Sequence, residues 1–493
     1  MHKQILCALA GWTALMSSAA AELPVWHGFN LEGKAIKGAF SGEWREQDLA
    51  WMHELGFNFA RIMIDHRYWC REEDWTEPDP EKFGPIDEVI GWGRKHQIHI
   101  QICFSFPPGI DVITKSKRAL FEDERAREAM ARHWRYFARR YRDVPANELS
   151  FNLFNEPDRP GTPEAEAGYE RLVKAVLSAV RAENAERIFV LDGFGYGRQP
   201  AKFAIGLPVW QSHHAYEPMS VSHFQASWVK GVTVRTTPLW PPSPARSPLF
   251  GSSKPGRNEP LVIRHVPSAT VTCRTGIVNR EAEVVARADG REVFRRRLLP
   301  HPSASGWTNL VVRPGGRQYA GELVEPIRFE VPAADRLEIG LDRGDWLEVS
   351  ALELTAEGKS VTLPFMEDFG NGLPRIELQF ASWEEGFRKG DGTDYTGDDY
   401  LDERTAAWRE LLAAGQPVMV GEFGVYNRTP HDVALRWMET QLKRWKKLGI
   451  GWAMWNFRGS MGILDSGRAD VTYEDFHGHK LDRKMLDLLR RYM

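Results

Sequence analysis

Short apolar runs separated by amphipathic stretches recur along most of the chain. The runs predict strands at 25–31, 57–64, 98–105, 149–155, 188–191, 209–216, 417–423 and 449–456. Between them, 44–55, 124–141, 163–183, 403–414 and 431–447 carry apolar residues at helical spacing with charged outer faces, and these predict helices. Strands alternating with helices pair in parallel through right-handed crossovers, and eight such repeats close a (β/α)8 TIM barrel. An open doubly wound sheet is the competing α/β architecture, but no glycine-rich phosphate loop follows the first strand.

One stretch breaks the rhythm. After Trp240 comes Pro241-Pro242-Ser243-Pro244, which neither a helix nor a central strand tolerates. From 261 to 363 the pattern then turns to period-two alternation with turn signals such as Asp289-Gly290. Closely spaced strands without helices predict an inserted all-β domain, a β-sandwich resembling a carbohydrate-binding module, at 241–376 between barrel strands six and seven. The barrel then comprises 22–240 plus 377–493, and the ends of the insertion are expected to lie close together. Trp307 and Trp346 suit either a sugar-stacking face or the sandwich core. The acidic, glycine-containing tract 391–402 reads as a surface loop.

The first 21 residues read as a signal peptide. Met1-His2-Lys3 is a basic start, 5–16 is an apolar stretch too short to span a bilayer, and Ser18-Ala19-Ala20-Ala21 offers small residues for cleavage. The expectation is a secreted or periplasmic protein without a membrane partner. With 64 Lys+Arg against 67 Asp+Glu the net charge is -3, so no basic excess exists to bind a nucleic-acid backbone. Cys70, Cys103 and Cys273 remain beyond the leader, with no metal-type spacing. Three buried thiols are expected, with a Cys70–Cys103 disulfide as the alternative. Trp, at 19, outnumbers Tyr, at 12, which fits core filling or an aromatic-lined cleft.

In such a barrel the working residues sit where strands end at the C-terminal face. Strand four ends Asn155-Glu156-Pro157 and strand seven ends Gly421-Glu422-Phe423-Gly424. A carboxylate just past an apolar run is costly without a partner or a role, and a single one is commonly salt-bridged. Two, facing each other across a cleft, equip a site to cleave a glycosidic bond: one protonates the leaving oxygen while the other attacks the anomeric carbon or activates water.

At these residues the chain resembles glycoside hydrolase family 5, the cellulase family of retaining β-glycanases, over everything except the leader and the insertion. The resemblance implies Glu156 as acid/base, Glu422 as nucleophile, Arg61 as the group holding the nucleophile ionised, and Asn155 as the hydrogen-bond partner of the sugar 2-hydroxyl. It further implies His214 and Tyr216 as residues orienting the two carboxyls, Trp455 as the platform beneath the scissile sugar, and Asn30, in Gly28-Phe29-Asn30-Leu31, as a substrate-binding residue. At the end of strand three, where the family usually carries a histidine, Ser105 stands instead, and a hydroxyl cannot carry an imidazole's charge. Arg61-Ile62-Met63-Ile64-Asp65 and the strand-six loop resemble the branch that cleaves β-1,4-glucan. The implied activity is that of an endoglucanase, with β-1,3-glucan, mixed-linkage glucan or β-mannan as alternatives on the same centre.

The residues support these roles physically. Arg61, permanently charged, favours the carboxylate of Glu422. Glu156, lacking such a cation, is expected to have its pKa raised by burial and by Glu422. His213 and His214 face opposite sides of a strand, and no open three-ligand set assembles from the strand ends, so neither a metal nor any cofactor is expected. The expected partner is a polysaccharide or oligosaccharide, bound by a monomer. A secreted carbohydrate-binding protein without catalysis is the reading from another class; it predicts binding without turnover.

Overall fold

A computed structural model describes residues 25–39, 42–110, 115–229, 237–251, 259–365 and 374–493, apart from the side chains of 118 and 119. The leader at 1–21 lies outside these residues. Eight parallel strands close a barrel: β1 (His27–Lys34), β2 (Phe59–Asp65), β3 (His99–Phe106), β4 (Leu149–Asn152), β5 (Phe189–Asp192), β6 (Trp210–His214), β7 (Val418–Phe423) and β8 (Trp452–Met454). β8 pairs with β1 and completes the ring. Outward-facing residues such as Ile62, Ile102, Phe151 and Leu191 meet the helices in one large core.

Pro163–Glu183 shows how the helices form. Thr162 caps it by accepting from the Ala165 amide, Pro163 sits in the first turn, and Leu172, Val173, Val176 and Val180 are buried. Each such side chain contributes about 1.5–3 kcal/mol over an exposed position, so its apolar face holds the helix in place.

Inside the barrel two layers differ in chemistry. The lower one is apolar, with Trp26, Phe59, Val190, Met419 and Ala453 packed together. Above it, at the C-terminal mouth, the inward positions Asn30, Arg61, Asn152, Asp192 and His214 are polar and fully buried. Groups of that kind must satisfy one another, and this layer forms the floor of the site.

Between β6 and β7 the chain builds a second, 11-stranded sheet running from Leu249–Phe250 to Gly386–Lys389. Its backbone is two long strands, Ala269–Ala288 and Ala334–Ala356, paired antiparallel with several bulges. Ile263, Val271, Val284, Phe329, Leu337 and Leu352 share one apolar core, around which the bulged strands carry the sheet. The sheet extends beyond 376: Leu378–Ser382 and Gly386–Lys389 form a hairpin within it, and Leu378 pairs in parallel with Ile263. Strands of five and four residues are too short to leave a periodicity to read. Part of the expected loop at 391–402 is likewise helical, because Thr396 and Asp399 form a capping box at the start of Gly397–Arg404.

The two ends of the insertion are fastened together. Arg246 Nη1 donates to the Pro374 carbonyl at 2.7 Å, and Arg375 Nη2 to the Leu249 carbonyl at 2.7 Å. Trp307 is half-buried against the sheet's core, and Trp346 is also half-buried. Cys70, Cys103 and Cys273 are buried free thiols. Among the described residues, no helix is long and apolar enough to cross a membrane.

Candidate active site

The position of Glu422 follows from a bulge. Val420 pairs with His213, but Glu422 pairs with His214, so the β6–β7 register slips at Gly421. Strict alternation from the inward Met419 would aim Glu422 outward, whereas the extra residue turns it into the barrel and leaves Phe423 packed on Trp445 and Trp452. Gly421 is required there, since a Cβ on it would fall 2.1 Å from Ser212 Oγ.

Glu422 Oε1 accepts from Arg61 Nη1 at 2.7 Å, and its Oε2 accepts from Tyr216 Oη at 3.0 Å. Burial and the Glu422 charge keep Tyr216 protonated and therefore a donor. Arg61 also donates to Asn152, Asn30, Asn155 and Asp192 at 2.9–3.0 Å. The Cys103 thiol lies 3.1 Å from Arg61 Nη2. Asn30 in turn donates to the Gly421 carbonyl at 2.8 Å, so β1, β2 and β7 are locked around one guanidinium.

Glu156 stands opposite. Its Oε1 lies 3.0 Å from His214 Nδ1, while His214 Nε2 is 3.1 Å from Asp192 Oδ2 and Nδ1 is 3.6 Å from Glu422 Oε2. One side-chain oxygen or nitrogen from each of Glu156, His214 and Glu422 lies within 4.8 Å of the other two. Glu156 is 22% exposed at its side chain and Glu422 6%, so the pair is reached from solvent on the Glu156 side. The backbone of Glu156 is left-handed, with φ of 50°. Such a conformation costs roughly 1–3 kcal/mol and persists only where its surroundings fix it. The Glu156 amide donates to Asp192 Oδ2 at 3.1 Å and the Asn155 amide to the Phe104 carbonyl at 2.9 Å.

Asp192, which the sequence reading did not select, is the hub of the site. It takes Arg61, His214, Asn152 and the Glu156 amide, and is fully buried. Burial alone would raise its carboxyl, but Arg61 and His214 hold it far below the carboxylate range. The signal was available: Asp192 closes the apolar run 188–191, as the two glutamates close theirs. Asn152 and Lys117 also belong to the site without having been selected. Lys117 Nζ donates to the Asn155 carbonyl.

Burial would lower His214, but Glu422 and Asp192 push it up to about 10, so it is an imidazolium. Burial and the charge of Glu156 raise Glu422, against the pull of His214 and Arg61. Burial would also raise Glu156, but the hydrogen bond and charge of His214, with Lys117, bring it below its ordinary value. This corrects the expectation for Glu156: it does not lack a cation, because strand six and the segment after β3 each supply one.

His214 links stability to pH. Its folded pKa lies above the unfolded 6.5, so its contribution is complete below about 6.5 and is lost as pH rises through about 10. We expect urea unfolding to show a loss on the order of a few kcal/mol across that window, and a flatter dependence in His214→Asn. A wild-type curve as flat as the variant's would contradict the imidazolium assignment.

The remaining predicted residues fall as follows. Trp455 is partly buried against Ala35, Met63 and Cys103. Ser105 is buried and donates to the Ala35 carbonyl, so its hydroxyl is engaged by backbone. His213 faces outward onto Trp408, opposite to His214. A cavity of about 370 Å³ is lined by Asn30, Glu32, Trp44, Asn456 and Arg458, among others, and meets the buried polar layer at Asn30.

A closed barrel of eight parallel strands, with two carboxyls at its C-terminal mouth, places the chain in the class of (β/α)8 barrels. Residues 20–238 match the sequence model of the cellulases, glycosyl hydrolase family 5. Endoglucanase C of Acetivibrio thermocellus is 22% identical over 188 residues, 37% of this chain and 53% of that protein. Endoglucanase 3 of Fibrobacter succinogenes is 24% identical over 220 residues, 42% of this chain and 32% of that protein. The chain thus spans about half or less of the length of these relatives. Among solved structures, a glycoside hydrolase at 24% identity covers 95% of this chain and 99% of its own, with a TM-score of 0.59. Thermotoga maritima Cel5A in complex with cellobiose is 14% identical, with a TM-score of 0.52 over 94% of this chain and 96% of that one.

Proposed function

We propose that the protein is an exported retaining β-glycoside hydrolase acting on β-1,4-glucan as an endoglucanase. The observation that carries the reading is the carboxyl pair, Glu156 and Glu422, with oxygens within 4.8 Å of each other. Retention calls for a separation of about 5 to 5.5 Å, whereas inversion needs roughly 6.5 Å or more to admit water. The cavity lined by Asn30 and Asn456 is the space this reading gives to further saccharide units. Endoglucanases among the relatives, and the cellobiose complex of Cel5A, support glucan as substrate.

In this mechanism Glu422, oriented by Arg61 and Tyr216, attacks the anomeric carbon as Glu156 protonates the leaving oxygen. In the resting site that proton is on His214 Nδ1, which donates to Glu156 Oε1, and it passes through Glu156 to the leaving oxygen. Once Glu422 becomes an ester its negative charge is gone, the repulsion on Glu156 falls, and Glu156 becomes the base that activates water. Water then displaces Glu422 and the configuration is retained.

Glu156, His214 and Glu422 are clustered closely enough to hold a metal ion. His214, however, is an imidazolium between carboxylates and has no lone pair to offer, so the donor set does not suit one. We expect EDTA to leave hydrolysis unchanged. The decisive assay offers defined β-1,4-, β-1,3- and mixed-linkage glucan and β-mannan oligosaccharides, and follows the first-formed anomer by proton NMR. Release of the β anomer from β-1,4-glucan is expected. An initial α product would overturn retention, and turnover of mannan alone would overturn the substrate.

A further inference from the structure

The region after β3 differs from the rest of the site because its strand-end side chain, Ser105, is turned onto the Ala35 carbonyl and presents no charge to the acid loop. The cation on that side comes from further along the chain. We propose that Lys117 is a positioning residue for the acid/base group, clamping the Asn155–Glu156 turn through the Asn155 carbonyl and bringing a cation to the Glu156 side of the mouth. The proposal rests on the reading of Glu156 as acid/base.

Lys117 opens the helix Lys117–Glu122, and two contacts join the start of that helix to the acid loop. Its ammonium donates to the Asn155 carbonyl, and the Ser116 hydroxyl lies 3.2 Å from Asp158 Oδ2. Between these two anchor points is Glu156 with its left-handed backbone. Asp192 holds the amide side of Glu156, and Lys117 holds the carbonyl just before it, so the turn is fixed from β5 and from the segment after β3. An ammonium that donates to a backbone carbonyl from a half-buried position is a poor solubility device. Its place beside a strained catalytic turn gives it a purpose.

The charge count supports the same role. The mouth holds the carboxyls of Asp192, Glu156 and Glu422 and the cations Arg61 and His214. Lys117 is the third cation, and it acts on Glu156 in the same sense as His214. The other groups facing Glu156 are Asp192 on β5, His214 on β6, Tyr216 and His223 beyond β6, and Glu422 on β7. Cys103 on β3 and Asp158 on the acid loop act on Lys117 itself. Removing Lys117 therefore leaves Glu156 with one cation against two neighbouring carboxylates, and its proton is retained to higher pH.

The test is the pH dependence of kcat/KM on a β-1,4-glucan oligosaccharide for wild type, Lys117→Met and Lys117→Arg. In Lys117→Met the alkaline limb is expected to move to higher pH, with the optimum lowered by about tenfold. Lys117→Arg should return the limb toward wild type. A Lys117→Met profile that superimposes on wild type would overturn the proposal. If that variant does not fold, Lys117→Gln is read in the same way. A readout independent of turnover is the carbon-13 titration of the Glu156 carboxyl in a Glu422→Gln background, which should shift upward when Lys117→Met is added and would refute the coupling if unmoved. A wild-type protein without glucanase activity would sink the functional reading while this titration still judged Lys117.

Discussion

Glu422→Gln is expected to give a folded protein whose hydrolysis of β-glucan is lowered by roughly 10⁴-fold or more. The amide preserves shape and still accepts from Tyr216, but it cannot form the glycosyl ester. Glu156→Gln should be comparably inactive on oligosaccharides, because their leaving group needs a proton. Glu156→Ala separates the two roles. On a substrate with an activated aryl leaving group the glycosyl-enzyme forms without an acid, and azide, admitted to the space left by the carboxyl, attacks the anomeric carbon and releases Glu422. The expected product is a glycosyl azide of retained configuration. Absence of azide rescue, with circular dichroism showing an intact fold, would contradict the assignment of Glu156.

The second large effect is expected at Asp192. Asp192→Asn removes the negative charge shared by Arg61 and His214 without altering volume. Breaking a buried ion pair by removing one partner typically costs about 3–5 kcal/mol, and we expect a loss of that order in urea unfolding. Activity should fall about 10²- to 10³-fold, since His214 loses a carboxylate that keeps it protonated and Glu156 loses the acceptor of its amide. The alkaline limb of the pH profile should move down, in the opposite sense to Lys117→Met. A kcat within about twofold of wild type would show that the hub is dispensable.

Much of this site was legible in the sequence because barrel strands announce their own ends. Glu156 and Glu422 each follow an apolar run directly, and Arg61, His214 and Tyr216 are placed by the same register. Asp192 follows its run in the same way, but it carries no neighbouring motif, and the strand was expected to stop at 191. Lys117 lay in a charged stretch, Lys115-Ser116-Lys117-Arg118, whose pattern is that of a solvated surface. Its meaning depends on a tertiary contact with Asn155 that no periodicity encodes. The protonation balance was inverted for the same reason. Arg61 does contact Glu422, but the expectation, which set His214 beside both carboxyls, took no account of the positive charge His214 brings to Glu156. The bulge at Gly421 is also invisible in sequence, although the glycine that permits it is plain.

β6 and β7 lie side by side in the barrel, yet the entire second sheet separates them along the polypeptide. The entropy of closing so long a loop grows only logarithmically with its length, but it must be met before β7 can complete the ring. With Arg246 and Arg375 clasping the insertion's entry and exit, a folded insertion makes that connection behave as a short one. Completion of the barrel is thereby coupled to the inserted module, because the strand that carries Glu422 follows it in the chain.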